Sequence, residues 1–173
     1  MNRTRARMLI GLLPLLAAGC ALFRPPPLAV GQTEAELLSF MGAPTGRHAL
    51  ADGVTRLEFA TGPYGRFTWM VDMGPDGRSR AFRQVLTTEN LAEFQPRAPG
   101  MTIAQLLAEL GRPGERFGVR AGEVWSWRYP TNDCLLWQVT IGRDGKVIDA
   151  GYGPDWMCEY NDKVSMRGGR GHR

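Results

Sequence analysis

The chain has 173 residues, 43% of them apolar and 22% charged, a composition that fits one folded domain or two small ones and excludes a disordered polymer. Its formal net charge is +4, yet residues 28–158 carry 13 basic side chains against 15 acidic ones, a net of −2. Phosphate backbones require a basic face, so that balance excludes a nucleic-acid reader. No stretch is both long and apolar enough to span a bilayer.

The chain begins "MNRTRARMLIGLLPLLAAGC", with a basic start, an apolar run from Met8 to Ala18 and a small-residue end. That three-part form predicts a signal segment over 1–19. Its last residues, Ala17-Ala18-Gly19-Cys20, resemble a bacterial lipobox, with Ala17 where Leu is preferred. The resemblance implies that Cys20 becomes the first mature residue and carries acyl chains. Each buried methylene then contributes about 0.8 kcal/mol to anchoring. The alternative is a plain secreted protein cut near Gly19. Ala21 and Leu22 follow the cysteine with no Asp beside it. By analogy with Gram-negative lipoproteins this favours the outer membrane, with the body facing the periplasm. Residues 20–30, with Pro25-Pro26-Pro27, read as a stiff spacer.

A repeated unit follows. "GQTEAELLSFMGAPTG" (31–46) and "GMTIAQLLAELGRPGE" (100–115) share Gly31/Gly100, Thr33/Thr102, Leu37/Leu106, Leu38/Leu107, Gly42/Gly111 and Pro44/Pro113 at one spacing. Thr with Glu36 or Gln105 three places on forms a capping box. Gly and then Pro stop the helix. In the second copy Ile103, Leu106, Leu107 and Leu110 make one apolar stripe. Helices under three turns do not persist alone, so each stripe must pack on something.

Sheets are that something. "TRLEFAT" (55–61) and "FTWMVDM" (67–73) alternate apolar with polar residues, as do "VWSWRY" (124–129) and "LLWQVTI" (135–141). This period predicts antiparallel strands with one buried face. "GPDG" (74–77) and "GRDG" (142–145) predict hairpins into third strands near Ser79–Leu86 and Lys146–Tyr152. An extra helix is expected in "TTENLAEF" (87–94). The fold class is therefore α+β, in two tandem units over 31–87 and 88–158. Each has a short helix, or helix pair, on a three-stranded antiparallel sheet. Residues 159–173, ending "MRGGRGHR", are expected to be a disordered basic tail. The tail resembles an RGG segment, but RNA is an unexpected partner for an exported chain; weak attraction to anionic lipid heads is the other reading.

With Cys20 acylated, Cys134 and Cys158 remain as a pair in an oxidising compartment. A disulfide between them closes a loop of about 25 residues and contributes roughly 3 kcal/mol. Two unpaired thiols are the alternative.

Gly-x-Thr, short helix, Leu-Gly-x-Pro, aromatic strand, apolar strand and Asp-Gly turn together resemble the SmpA/OmlA (BamE-like) lipoproteins. The second copy carries the closer match: Gly100, Thr102, Leu110-Gly111, Pro113, Trp127, Tyr129 and Asp144-Gly145. The first has Gly31, Thr33, Met41-Gly42, Pro44, Phe59 and Asp76-Gly77. The resemblance covers residues 28–153 and implies an accessory part of the outer-membrane β-barrel assembly machine. The family has one such unit, whereas this chain has two. Tandem copies are similar in layout to the β-lactamase inhibitor proteins. That likeness implies the alternative role, a binder or inhibitor of a soluble periplasmic enzyme such as a β-lactamase or cell-wall hydrolase.

No catalytic set is evident. The two histidines are His48, in an expected loop, and His172, in the tail. Asp144 and Asp149 make an imaginable carboxylate pair, but the turn explains Asp144. Cys134 has no evident base. No cofactor, metal or small-molecule substrate is expected. Trp69, Trp127, Trp137 and Trp125 follow the buried phase of their strands. Trp156 and Tyr160 lie past the last strand and are candidate partner contacts; packing of Trp156 over the sheet edge is the equal alternative. The expectation is a non-enzymatic lipoprotein, tethered through Cys20, that binds a protein partner in the periplasm and supports barrel assembly or envelope integrity.

Overall fold

A computed structural model describes residues 26–158. The signal segment, Cys20, Tyr160, His172 and the basic tail lie outside the described residues.

The chain is α+β, with two antiparallel sheets joined by short helices. Helix α1 (Glu34–Met41) leads into β1 (Gly46–Ala49), β2 (Thr55–Thr61), β3 (Phe67–Met73) and β4 (Ser79–Gln84). Helices α2 (Thr88–Phe94) and α3 (Ile103–Leu110) precede β5 (Glu115–Val119), β6 (Gly122–Trp127), β7 (Leu135–Gly142) and β8 (Val147–Pro154). The sheet orders are β1-β2-β3-β4 and β5-β6-β7-β8.

Each sheet therefore has four strands, not three. The added strands are β1 and β5, which begin right after the Gly-x-Pro stop and pair only with β2 and β6. Sequence alternation misses them because they lie at the sheet edges and bury little. No residue of β1 or β5 is fully buried. His48 accordingly stands on β1 rather than in a loop.

The two halves repeat each other closely. Both helix starts are capping boxes, with Thr33 and Thr102 at φ −75°, ψ 161°. Both stops are glycines at positive φ, Gly42 at 76° and Gly111 at 77°. Gly31 donates to the Ser79 carbonyl and Gly100 to the Val147 carbonyl, each at 2.8 Å, tying the chain before each helix to the last strand. Both third strands of the pairing ladder bulge at matched places, Asp72/Met73 and Thr140/Ile141.

One core holds Leu37 of α1 against Leu57, Phe59, Val71 and Met73. The larger core packs α2 and α3, through Leu91, Phe94, Leu106 and Leu110, on Trp125, Trp127, Trp137, Val139 and Ile141. The tryptophans on alternating positions thus fall on the helix-facing side, as their phase predicts; Trp69 is only partly buried.

Met70, from the opposite face of the first sheet, also belongs to the larger core. Strand alternation predicts one buried face per sheet, yet the polar face of β2 and β3 is covered too. Glu58 is 1% exposed and Thr68 is 1% exposed. The lid is the C-terminal end of α3. Arg56 Nη1 donates to the Ala108 carbonyl at 2.9 Å, and the Arg112 backbone N–H donates to Glu58 Oε1 at 3.1 Å. The order of layers is α1, first sheet, α3 with α2, second sheet. This stacking gives both small cores a shared wall, which offsets the marginal size of each unit alone.

Candidate protein-binding surface

The residues with the chemistry of a contact surface gather where the 62–66 loop meets the end of the second sheet. Gly62 and Gly65 both take positive φ, and between them Tyr64 does so as well, at φ 58°, ψ 25°. Left-handed backbone is unfavourable for an aromatic residue and stores on the order of 1 kcal/mol or more. The strain is not compensated by burial, since Tyr64 is 69% exposed. Its ring instead lies against the Arg128 guanidinium, 5.1 Å from the ring centre.

Arg128 follows β6 and is held from several sides. Nη1 and Nη2 both reach the Asp155 carboxylate, and Nη2 also donates to Glu115 at 3.2 Å. Asp155 is buried, and the Arg128 hydrogen bond holds its carboxyl below the ordinary value of 3.8. Asp155 also accepts from the Met157 N–H at 3.0 Å and begins the turn that carries Trp156. Trp156 is 59% exposed, and its indole N–H donates to Glu115 Oε2 at 3.1 Å. Sequence phase left Trp156 open between edge packing and exposure; the structure exposes its ring and fixes its angle.

The arrangement is an arginine paired with two carboxylates, with the Tyr64 ring against its guanidinium and the Trp156 indole bonded to Glu115, one of those carboxylates. Tyr, Trp and Arg are the residue types that dominate protein contacts when desolvated. Because Glu115 and Asp155 hold the guanidinium in place, a partner covering it loses little side-chain freedom on binding.

The structure does not join Cys134 to Cys158 by a disulfide, contrary to the expected pairing. Cys134 is exposed, and Cys158 sits half-buried in the Asp155 turn. The backbone N–H of Asp155 donates to the Cys134 carbonyl at 2.9 Å, and that of Cys158 to the Asp155 carbonyl at 3.0 Å. The two cysteines therefore stand at one end of the sheet, linked through the Asp155 backbone rather than through sulfur.

The remaining polar groups have structural occupations. His48 Nε2 lies 3.1 Å from Glu58 Oε2, inside the joint between the first sheet and α3. Asp144 Oδ1 accepts from the Lys146 N–H at 3.1 Å within its hairpin, while Asp149 is exposed on β8. Glu109 binds Arg83 and Arg97, each at 3.2 Å, in a shallow cleft beside α2. Among the described residues no cluster of His, Cys, Asp and Glu is placed to hold a metal ion, and no helix is long and apolar enough to cross a membrane.

The Tyr64–Arg128 contact was not foreseen from sequence. Its one local signal is Gly-Pro-Tyr-Gly, a loop whose glycines permit the conformation forced on the tyrosine. Compared with known proteins, the chain matches no family model, no curated protein and no solved structure.

Proposed function

We propose that this protein is a non-enzymatic lipoprotein of the outer membrane, anchored through Cys20, that binds a protein partner in the periplasm. The contact surface is the Tyr64–Arg128–Trp156 patch. In keeping with its resemblance to the SmpA/OmlA (BamE-like) lipoproteins, its role is that of an accessory to outer-membrane β-barrel assembly or envelope integrity. The duplicated scaffold serves to hold that patch, since the 62–66 loop comes from the first unit and Arg128 and Trp156 from the second.

The observation that carries the reading is the strained, exposed Tyr64 whose ring lies against Arg128, itself paired with Asp155 and Glu115. Backbone strain at an exposed aromatic side chain is a feature of binding sites, and it supports a role for Tyr64 outside the chain.

Photo-cross-linkers placed at Tyr64 and Trp156 of the full chain, in intact envelopes, test the proposal. The expected adduct contains a component of the barrel-assembly machine. An adduct with a soluble periplasmic enzyme instead favours the inhibitor-like role. Absence of any protein adduct at both positions, from folded protein, overturns the binding reading. Mass analysis of the mature N-terminus tests the anchor separately, through an acylated Cys20.

A further inference from the structure

The stack of layers has two open ends, and they are the two halves of one joint. Inside the molecule that joint is the end of α3 on the polar face of the first sheet. Ala108 and Gly111 are buried there, and a side chain added at Gly111 would meet Glu58 at 2.9 Å and Thr68 at 3.0 Å. The same positions on α1 are Ser39 and Gly42, and both are exposed. A side chain added at Gly42 would meet nothing within 4 Å. The outer side of α1 is a copy of the docking edge of α3 with no sheet against it among the described residues.

The opposite end matches the seat of α3 over one half. Positions equivalent to Arg56 and Asp72 on the first sheet are Val124 and Thr140 on the second, and all four are half-buried. Around them Phe117 is 45% exposed, Val119 39% and Ile148 50%. The half of this face over Ser126 and Leu136 is buried at the end of the sheet where the Asp155 turn lies, so the open half is the one that corresponds to the seat of Ala108 and Glu109.

The exchanged residues agree with one another. In the internal joint Arg56 faces Glu109, with Nη1 and Oε1 3.4 Å apart. At the open ends the arginine position holds Val124 and the glutamate position holds Phe40, itself 37% exposed. An ion pair has been replaced on both sides at once by apolar groups, which cluster in water when they meet. We infer that α1 of one copy docks through Phe40 on the open face of the second sheet of another copy, around Val124, giving head-to-tail self-association. The contact is heterologous, because the two surfaces differ, so it leaves an open seat at each end of a pair. The inference is independent of the partner that Tyr64 and Trp156 bind, and those residues lie outside the joint.

The test uses the full chain in detergent micelles. A photo-reactive benzoylphenylalanine in place of Phe40, in mixed isotope-labelled and unlabelled protein, is expected to cross-link between copies to the segment 117–124 or to Ile148. Phe40→Glu and Val124→Arg, each alone, are expected to weaken self-association about tenfold or more by sedimentation. An equimolar mixture of the two keeps the Phe40–Val124 contact in one direction and recreates an arginine–glutamate pair like Arg56–Glu109 in the other, so alternating copies are expected to associate as far as the parent chain. Cross-links confined within one copy or falling elsewhere, single variants that associate like the parent chain, or a mixture that stays monomeric each overturn the inference.

Discussion

The Arg112 backbone N–H donates to the Glu58 carboxylate at 3.1 Å across 54 residues of sequence, and this bond joins the two halves of the chain. Glu58 is 1% exposed, and it also accepts from Thr45 Oγ1 at 2.9 Å and faces His48. Removing the carboxylate leaves several donors buried without an acceptor. Glu58→Ala is therefore expected to lower stability by about 3 kcal/mol, and Glu58→Gln by less. Denaturant unfolding followed by tryptophan fluorescence and circular dichroism checks this. Because Met70 of the first sheet belongs to the core of the second unit, the parent chain is expected to unfold in one transition. Two separate transitions in the parent would contradict the shared wall.

Acid is expected to destabilise the protein through two carboxylates. The Arg128 hydrogen bond lowers the Asp155 pKa from 3.8. Burial alone raises that of Glu109, but Arg83, Arg97 and Arg56 together bring it below 4.5. Both folded values lie below their unfolded ones. Each group thus contributes stability that is present above the unfolded pKa and is lost as pH falls through the folded one. Urea midpoints are expected to fall from about pH 5 downward. The double variant Asp155→Asn, Glu109→Gln starts lower at neutral pH and shows a shallower fall. An unchanged slope in the double variant would remove these residues from the account.

Much of the local structure was readable because it is written in short-range chemistry. Thr33 with Glu36 and Thr102 with Gln105 fixed both helix starts, and the strands at Thr55–Thr61 and Phe67–Met73 have the boundaries their alternation predicts. The edge strands β1 and β5 were missed because "GRHA" and "ERFGV" bury no full face to leave a period. Asp52-Gly53 was the available clue to the first, since it turns the chain from β1 into β2. The covered polar face of the first sheet was unreadable. Arg56 and Glu58 look like solvent-facing residues, and only the return of α3 from later in the sequence buries them. The contact surface was half legible: Trp156 stood out by position, whereas Tyr64 meets Arg128 only through the tertiary fold.

Two glycines are expected to differ in how much they tolerate alanine. Gly122 has φ 154°, and a Cβ there would lie 2.0 Å from the Ile141 carbonyl oxygen, which the sheet holds rigidly. Gly122→Ala is expected to cost about 3 kcal/mol or more. A Cβ at Gly153 would lie 2.1 Å from Gln138 Oε1, the far end of a flexible side chain. That amide swings away, so Gly153→Ala is expected to change stability by less than about 1 kcal/mol. Thermal melts of the two variants decide between backbone and side-chain obstruction.

Relaxing Tyr64 is expected to strengthen the fold and weaken its function. Asp52 has nearly the same backbone, φ 58° and ψ 28°, in a turn far from Arg128, and serves as the control. Glycine accepts this conformation freely, so Tyr64→Gly is expected to raise stability by about 1 kcal/mol despite losing the stacked ring. Asp52→Gly gains less, because aspartate tolerates the left-handed region better than tyrosine. Partner capture separates the two: it is expected to fall about tenfold or more in Tyr64→Gly and to stay unchanged in Asp52→Gly. Paired measurements of melting temperature and cross-linking yield test this. A stabilised Tyr64→Gly chain that retains full capture would detach the strain from binding and return Tyr64 to the role of an ordinary loop residue.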